Sequence, residues 1–256
     1  MTDSSPPREN IDTAWITTGD GAVWSAESPS RETSPDLPSA VTKLVVGIYE
    51  QRGFDAWRLL RQRIFTTAQE NVFDQEIVRV AAKRITFGAS SSETPSDRSA
   101  FVDLSATSVG DPVAQRDGRE FFRWEGDTSQ VDREALAAVA AMAGTIPLAP
   151  ERFASPRPVA ALIVSASGQV LGAAVNNNAV VRCRHAEFNL VHGLGEGVRI
   201  PRAATLYVSL SPCRMCAALL AARADDGAEL RVVAAQADLG ALGRQKALRR
   251  VEIHSP

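Results

Sequence analysis

Apolar residues near the start of the chain first alternate with polar ones and then take up a helical spacing. Residues 14–26 (AWITTGDGAVWSA) hold two short alternating runs around Gly-Asp-Gly, which predicts two strands joined by a turn. Residues 27–39 are rich in Ser, Pro and acidic side chains and predict a solvated linker. Residues 39–53 predict an amphipathic helix that stops at Gly53. Its apolar face consists of Val41, Leu44, Val45 and Ile48.

Two further segments in this half have helical spacing. Residues 54–65 (FDAWRLLRQRIF) and 74–85 (DQEIVRVAAKRI) each predict an amphipathic helix. Asp55 and Asp74 stand where an N-cap side chain is expected. A Ser-rich break over residues 88–99 then interrupts the pattern.

Weakly patterned segments complete the first half. Residues 100–104 (AFVDL) and 119–126 (REFFRWEG) predict strands. Together these elements predict a smaller, mostly helical α+β domain over residues 1–128, hereafter the N-terminal domain. Its first portion, about 40 residues long, is partly linker-like because Ser, Pro and Thr dominate it.

From residue 132 onward the pattern alternates regularly between helix and strand. Residues 132–144 predict an Ala-rich helix ending at Gly144, and residues 158–176 predict a hairpin turned at Ser-Gly. A helix beginning near His185 follows. The remaining elements are a strand at 204–211, a helix at 212–223, a strand at 229–236, a helix at 239–250 and a strand at 251–254. This order predicts an α/β fold for the C-terminal domain (residues 129–256), a three-layer α-β-α unit with a mixed five-stranded sheet.

Composition places the chain among ordinary globular proteins. Of its 256 residues, 45% are apolar and 23% are charged, which allows a substantial core without disulfides. The net charge of −2 excludes attraction of the whole molecule to nucleic acid or acidic membranes. From residue 145 onward 13 Lys and Arg stand against 8 Asp and Glu, and the preceding residues hold 15 against 22. This asymmetry is compatible with an anionic substrate, although chance often produces it.

Cysteine use and hydropathy bear on the compartment. Three cysteines are too few for a disulfide scaffold, and the sequence MTDSSPPREN lacks the features of a signal peptide. The sequence contains no run of about 18 apolar residues, so no membrane span is predicted. We therefore expect a cytoplasmic protein without membrane contact, and export as a toxin by a route without a classical signal peptide stays open.

The three cysteines and two of the three histidines are crowded into the segments VRCRHAEFNLVHGL and SLSPCRMCAALL. A catalytic zinc site uses three protein ligands and leaves the fourth position to water. His185, Cys213 and Cys216 supply such a set, with both cysteines at a predicted helix start. Glu187 follows closely enough to reach a metal-bound water without being a ligand. A structural zinc knuckle would need Cys183 as a fourth ligand and would have no use for Glu187.

The combination of HAE with PCRMC is similar to the H-x-E and P-C-x-x-C signature of zinc-dependent nucleobase deaminases. The chain thereby resembles the cytidine deaminase-like superfamily over its C-terminal half, on the side of the tRNA adenosine deaminases and APOBEC-like enzymes. The resemblance implies that His185, Cys213 and Cys216 bind zinc and that Glu187 is the general acid and base. A leading acidic domain of this kind resembles a branch of bacterial nucleic-acid deaminases.

The resemblance also implies substrate contacts. Asn176 matches an Asn that contacts the target nucleotide in the tRNA-type enzymes, although Asn177 and Asn178 blur that alignment. Backbone groups of Ala186 and Ser211 would hold the base edge and its exocyclic amine. The tRNA-type enzymes carry Glu where this chain has Ser211, and this difference favours cytosine over adenine.

The sequence therefore predicts hydrolytic deamination of a nucleobase, cytosine to uracil favoured, in single-stranded or flipped-out nucleic acid. Three alternatives stay open: a free nucleoside, nucleotide or base as substrate, adenine in RNA as substrate, and a catalytically silent zinc-binding module. Arg182, Arg184 and Arg214 flank the predicted site and are candidates either for phosphate contacts or for a solvated surface. A homodimer is compatible with the resemblance, because relatives of the tRNA type often pair.

Overall fold

The computed structural model describes residues 10–30, 34, 36–90, 101–109, 127–146, 157–178, 181–195 and 197–254. Within these residues the chain forms two five-stranded sheets with helices packed on them. One sheet belongs to the N-terminal domain and the other to the C-terminal domain, in agreement with the predicted fold class.

The sheet of the N-terminal domain has the strand order β4-β3-β1-β2-β5. Its strands are β1 (Ile11–Thr17), β2 (Val23–Pro29), β3 (Arg63–Thr66), β4 (Arg84–Thr86) and β5 (Phe101–Asp103). The hairpin predicted around Gly-Asp-Gly is confirmed, because β1 and β2 pair in antiparallel register along their whole length. The strand predicted at 100–104 corresponds to β5, and the one predicted at 119–126 lies outside the described residues.

The helices described in this domain are α1 (Ala40–Arg52), α2 (Ala56–Leu59) and α3 (Val72–Ala81); α1 packs on β1 and β2, α3 contacts β4, and α2 packs against α1. Helix α1 has the predicted position and the predicted buried face, with Leu44 and Ile48 fully buried. It ends at Gly53, whose φ of 53° lies in the left-handed region that favours glycine.

The single helix predicted over residues 54–65 is wrong in its second half. A 3-10 turn and the short helix α2 occupy residues 53–59, after which the chain enters β3. Phe65 stacks on Trp15 with ring centroids 5.7 Å apart, and Ile64 is fully buried. Ile64 and Phe65, a β-branched and an aromatic residue, are therefore stabilised in a strand by these contacts. This stabilisation outweighs the tendency of the surrounding apolar spacing to form a helix.

The predicted N-caps are also corrected. Asn71, not Asp74, caps α3, because its side-chain oxygen accepts a hydrogen bond from the Asp74 N–H at 2.9 Å. The Asp74 carboxylate is fully buried and accepts from the hydroxyl of Ser39, the N-cap of α1, at 2.5 Å. Asp55 precedes α2 but makes no capping hydrogen bond with its side chain.

The sheet of the C-terminal domain has the order β10-β9-β8-β6-β7 and is mixed, as predicted. Its strands are β6 (Ala160–Val164), β7 (Val170–Val175), β8 (Thr205–Val208), β9 (Arg231–Ala234) and β10 (Arg250–Ile253). Strand β6 pairs antiparallel with β7 and β8, whereas β8, β9 and β10 run parallel.

Helices cover both faces of this sheet. Alternate residues of β6 point to opposite sides: Leu162 packs with α4 (Thr128–Gly144), and Ile163 belongs to the core that contains α5 (Ala186–Gly193) and α6 (Arg214–Arg223). This arrangement confirms the three-layer prediction. Helix α4 begins four residues earlier than predicted, because the side chain of Asp127 caps it by accepting from Gln130 N–H.

The helix predicted at 239–250 is wrong. Residues 235–249 form a loop between the parallel strands β9 and β10. Gly243 explains the error, because a Cβ at this position would lie 2.1 Å from the carbonyl oxygen of Asp238. The chain turns back on itself at a point that only glycine can occupy, and a regular helix cannot form there.

The two domains share one apolar core among the described residues. Phe73 and Ile77 of α3 belong to the same buried cluster as Met215 and Leu219 of α6. Helices α3 and α6 are in direct contact. None of the helices within the described residues has the length and apolar character needed to cross a membrane.

Candidate active site

Two neighbouring helix starts carry the predicted metal ligands. His185 is the N-cap residue of α5 and Cys213 is the N-cap residue of α6, and both have extended backbone angles. Helices α5 and α6 pack against each other, so their first turns lie side by side. Cys216 lies in the first turn of α6, where the helix dipole favours a negatively charged sulfur.

The three donor atoms have the spacing of a tetrahedral metal site. His185 Nδ1 lies 3.4 Å from Cys213 Sγ and 3.6 Å from Cys216 Sγ. Zinc bonds of about 2.0–2.1 Å to nitrogen and 2.3 Å to sulfur place such donors about 3.5 Å apart at a tetrahedral angle. The three side chains therefore fit a zinc ion with one open coordination position.

The pKa values of the two candidate ligand thiols are shifted in opposite directions. The Cys216 thiol donates a hydrogen bond to the Cys213 sulfur and, together with His185, holds the pKa of Cys213 well below its usual value. Burial and the neighbouring Cys213 sulfur raise the pKa of Cys216. A divalent ion bound by these sulfurs would favour the thiolate form of both cysteines.

Glu187 is the second residue of α5 and faces the same site. Its side chain is 3% exposed and lines the pocket next to His185 and Cys213. Burial, and then the nearby Cys213 sulfur, raise the pKa of Glu187 to about 7. A carboxyl group with this pKa both accepts and donates a proton near neutral pH.

Two of the three donor residues, His185 and Cys213, line a pocket of about 370 Å³, a size typical of small-ligand sites. Strand ends and the β9–β10 loop form its walls. The lining residues are Arg157, Val159, Asn176, Asn178, His185, Glu187, Leu210, Ser211, Cys213, Asp238, Gly240, Ala241 and Leu242.

The three consecutive asparagines after β7 have different partners. Asn176 is buried, accepts from Val159 N–H at 2.8 Å and donates to the Arg157 carbonyl and to Asn178 Oδ1, both at 2.9 Å. Asn177 Oδ1 instead accepts from Asn189 of α5. Asn176 and Asn178 both line the pocket, but both N–H groups of the Asn176 amide are already used.

Ser211 and Ala186 also lie at the site. Ser211 lines the pocket, its N–H donates to the Gln236 carbonyl at 2.8 Å, and its hydroxyl accepts from Asp238 N–H at 2.7 Å. Ala186 is the fully buried first residue of α5, between His185 and Glu187.

Other residues that flank the motif lie elsewhere. The Cys183 thiol is fully buried outside the group of donors, and burial raises its pKa to about 12. Arg184 and Arg214 do not line the pocket but form ion pairs with Glu50 and Glu76 of the N-terminal domain.

Arg157 and Asp238 form a rim of the pocket that the sequence pattern did not indicate. The Arg157 guanidinium lies 3.2 Å from the Asp238 carboxylate across the pocket, although 81 positions separate the two residues. The signal that could have found the loop is the pair Gly240 and Gly243, which is unfavourable in a helix.

A three-layer domain with these two helix starts at one pocket defines a deaminase of the cytidine deaminase-like superfamily. Two family models match the chain: Bd3614-like deaminase over residues 151–255, and Bd3614-like deaminase N-terminal over residues 13–89. The two matched ranges together span well over half of the chain, which belongs to the Bd3614-like deaminases. Membership in this family supports hydrolytic deamination of a nucleobase or nucleotide.

No curated protein sequence matched the chain. Among solved structures, the apo dCMP deaminase of cyanophage S-TIM5 is similar at 18% identity over 50% of this chain and 100% of that one, with a TM-score of 0.37. A structure from a study of A-to-I editing by tRNA:A34 deaminases has 23% identity over 50% and 100%, with a TM-score of 0.33. The Thermotoga maritima diaminohydroxyphosphoribosylaminopyrimidine deaminase/reductase has 20% identity over 46% of this chain and 32% of that one, with a TM-score of 0.34. Scores this low do not bear on the substrate.

Proposed function

We propose that the chain is a zinc-dependent deaminase that converts cytosine to uracil in nucleic acid. The observation that carries this proposal is the set of three donor atoms with the buried carboxyl group of Glu187 beside it. In this set His185 Nδ1 lies 3.4 Å from Cys213 Sγ and 3.6 Å from Cys216 Sγ. A structural zinc site closes all four positions with protein ligands, whereas this set leaves one position facing a pocket.

His185, Cys213 and Cys216 are the proposed zinc ligands. A zinc ion held by these donors would supply an activated water molecule, because zinc lowers the pKa of water from 15.7 to about 7. The first turns of α5 and α6 fix the three donors on rigid elements, and the pocket leaves room for one base.

Glu187 is the proposed proton carrier. It accepts the proton of the attacking water, and the water oxygen bonds to C4 of cytosine. The bond from C4 to the exocyclic nitrogen then breaks, and Glu187 delivers the proton to that nitrogen, which leaves as ammonia. The pKa of Glu187 near 7 suits both halves of this transfer.

The base is proposed to enter from single-stranded or flipped-out nucleic acid, because a base in a duplex stack cannot reach donors inside a pocket. Asn176, Ala186 and Ser211 remain the proposed substrate contacts. Because both side-chain N–H groups of Asn176 already donate to other residues, Asn176 can offer the base only its Oδ1 as an acceptor. The amide group of the nearby Asn178 is better placed to donate to the base. Cytosine is preferred because Ser211 stands where the adenosine-specific relatives carry Glu.

The test compares ammonia release by the zinc-loaded wild type and by Glu187→Gln. Substrates are single-stranded DNA and RNA with a single cytosine or a single adenine, and free cytidine and dCMP. We expect uracil from a polynucleotide and a decrease in kcat of about 10²–10⁴-fold in Glu187→Gln, because the proton carrier is lost. Glu229→Gln, an exposed carboxylate of the same domain, is the matched control and should retain wild-type turnover.

Each alternative has its own outcome. If only cytidine or dCMP is deaminated, the substrate is a free nucleoside or nucleotide and not a polynucleotide. Formation of hypoxanthine instead of uracil would make adenine the substrate. A zinc-bound wild type that releases no ammonia from any of these substrates would contradict catalysis and leave a zinc-binding module.

A further inference from the structure

Arginines stand directly beside the candidate ligands in the sequence, and both point to the other domain. Arg184 precedes His185, and its Nη2 lies 2.5 Å from Oε1 of Glu50. Arg214 follows Cys213, and its Nη2 lies 3.1 Å from Oε1 of Glu76. Each segment that carries a candidate metal ligand is therefore held by a carboxylate of the N-terminal domain.

Each of these ion pairs joins a largely buried side chain to a more exposed one, since Glu50 is 38% and Arg214 41% exposed. The Glu76 side chain is only 5% exposed and also binds Arg79 of its own helix. The Arg184 side chain is 13% exposed. Partly buried pairs of this kind are screened less by salt than exposed pairs, and their geometry is more constrained.

The two carboxylates sit on one rigid unit. Glu50 lies on α1 and Glu76 on α3. The hydroxyl of Tyr49 in α1 donates to the carbonyl of Ala81 in α3 at 3.0 Å, and the starts of both helices are joined through Ser39 and Asp74. Helix α3 in turn packs directly on α6.

We propose that Glu50 and Glu76 are positioning residues for the metal ligands, so that the N-terminal domain completes the metal site without contacting the metal. Glu76 fixes Arg214, the residue after Cys213, and Glu50 fixes Arg184, the residue before His185. Loss of both pairs loosens the backbone at His185 and Cys213, which reduces the fit to the ion. This inference rests on the zinc site of the proposed function.

The test measures the zinc dissociation constant of the full-length protein by competition with a chromophoric chelator. The double variant Glu50→Gln/Glu76→Gln removes both charges at constant size. We expect zinc binding about tenfold weaker than in wild type, at the lower end of the range for groups that orient metal ligands indirectly. The reciprocal variant Glu50→Arg/Arg184→Glu restores one pair with opposite polarity and should bind zinc more tightly than Glu50→Arg alone.

Two controls separate positioning from folding. Glu70→Gln changes an exposed carboxylate of the same domain and should leave zinc affinity and unfolding temperature unchanged. Phe65→Leu removes the ring that stacks on Trp15 in a small cluster separate from the core of α1, α3 and α6, and it should lower the unfolding temperature of the metal-free protein while zinc affinity stays near wild type. Wild-type affinity in the double variant, or an equal loss of affinity in Phe65→Leu, would overturn the inference. A wild type that binds no zinc would instead overturn the proposed function, and this inference with it.

Discussion

The pKa values of two buried carboxyl groups in this protein are shifted in opposite directions, because the two groups have different partners. Asp132 and Glu187 are 2% and 3% exposed. Burial raises the pKa of Asp132, but hydrogen bonds from Arg231 and Tyr207 outweigh it and bring the pKa below its ordinary value. Among the described residues no Lys or Arg pairs with Glu187, and burial raises its pKa to about 7. Asp132 is therefore a fixed charge that supports structure, whereas Glu187 is able to exchange protons.

Replacement of Asp132 by Asn tests this structural role. Both carboxylate oxygens of Asp132 bind Arg231, at 2.8 and 2.7 Å, and join α4 to β9. Loss of one partner of a buried pair costs about 3–5 kcal/mol, and we expect about 2 kcal/mol here because Glu252 still binds Arg231. Chemical denaturation at pH 7 measures the difference, and Glu134→Gln on the exposed face of the same helix should change the free energy of unfolding by less than about 0.5 kcal/mol.

The same pair predicts a pH dependence. Because the pKa of Asp132 is lower in the folded than in the unfolded protein, its stabilisation is fully present above the unfolded value of about 4. It is lost as the pH falls through the lower, folded value. The stability difference between wild type and Asp132→Asn should therefore shrink below pH 4, and a difference that stays constant down to pH 2 would contradict the assignment.

At the scale of elements, motif residues and periodic segments were predictable and the connections were not. Helices α5 and α6 follow from apolar spacing and from the positions of His185 and Pro212, and these helices carry the three candidate metal donors and Glu187. The β9–β10 loop was predicted as a helix, because its Leu and Ala residues have helical spacing while the approach of Gly243 to Asp238 depends on tertiary structure. Asp238 and Arg157 were missed as pocket residues for the same reason.

Gly243→Ala tests the importance of this loop. The added Cβ would meet the Asp238 carbonyl and displace the segment that contributes Ala241 and Leu242 to the pocket. We expect a loss of about 1–3 kcal/mol in the free energy of unfolding, as for other overpacked sites, and a raised KM in the deamination assay. Gly144→Ala is the control, since a Cβ there meets nothing within 4 Å. Wild-type stability and KM in Gly243→Ala would contradict the structural role.

At the scale of the whole molecule, the uneven charge of the two halves has a structural use. Acidic residues of the N-terminal half pair with arginines of the C-terminal domain: Asp36 with Arg199, Glu50 with Arg184, and Glu76 with Arg214. The charge asymmetry seen in the sequence thus stabilises the contact between domains and is weaker support for an anionic substrate. The sequence could not predict these pairs, because 134 positions separate Glu50 from Arg184. The boundary between the domains at residue 128 stays a prediction.

Zinc K-edge X-ray absorption of the purified full-length protein is the most direct test of the proposed metal site. We expect one zinc ion per chain with two sulfur neighbours at about 2.3 Å and nitrogen or oxygen neighbours at about 2.0 Å. Cys216→Ala should leave a single sulfur neighbour or no bound zinc. A metal-loaded wild type whose zinc has no sulfur neighbours, or has four, would contradict a site made by one imidazole, two thiolates and an open position.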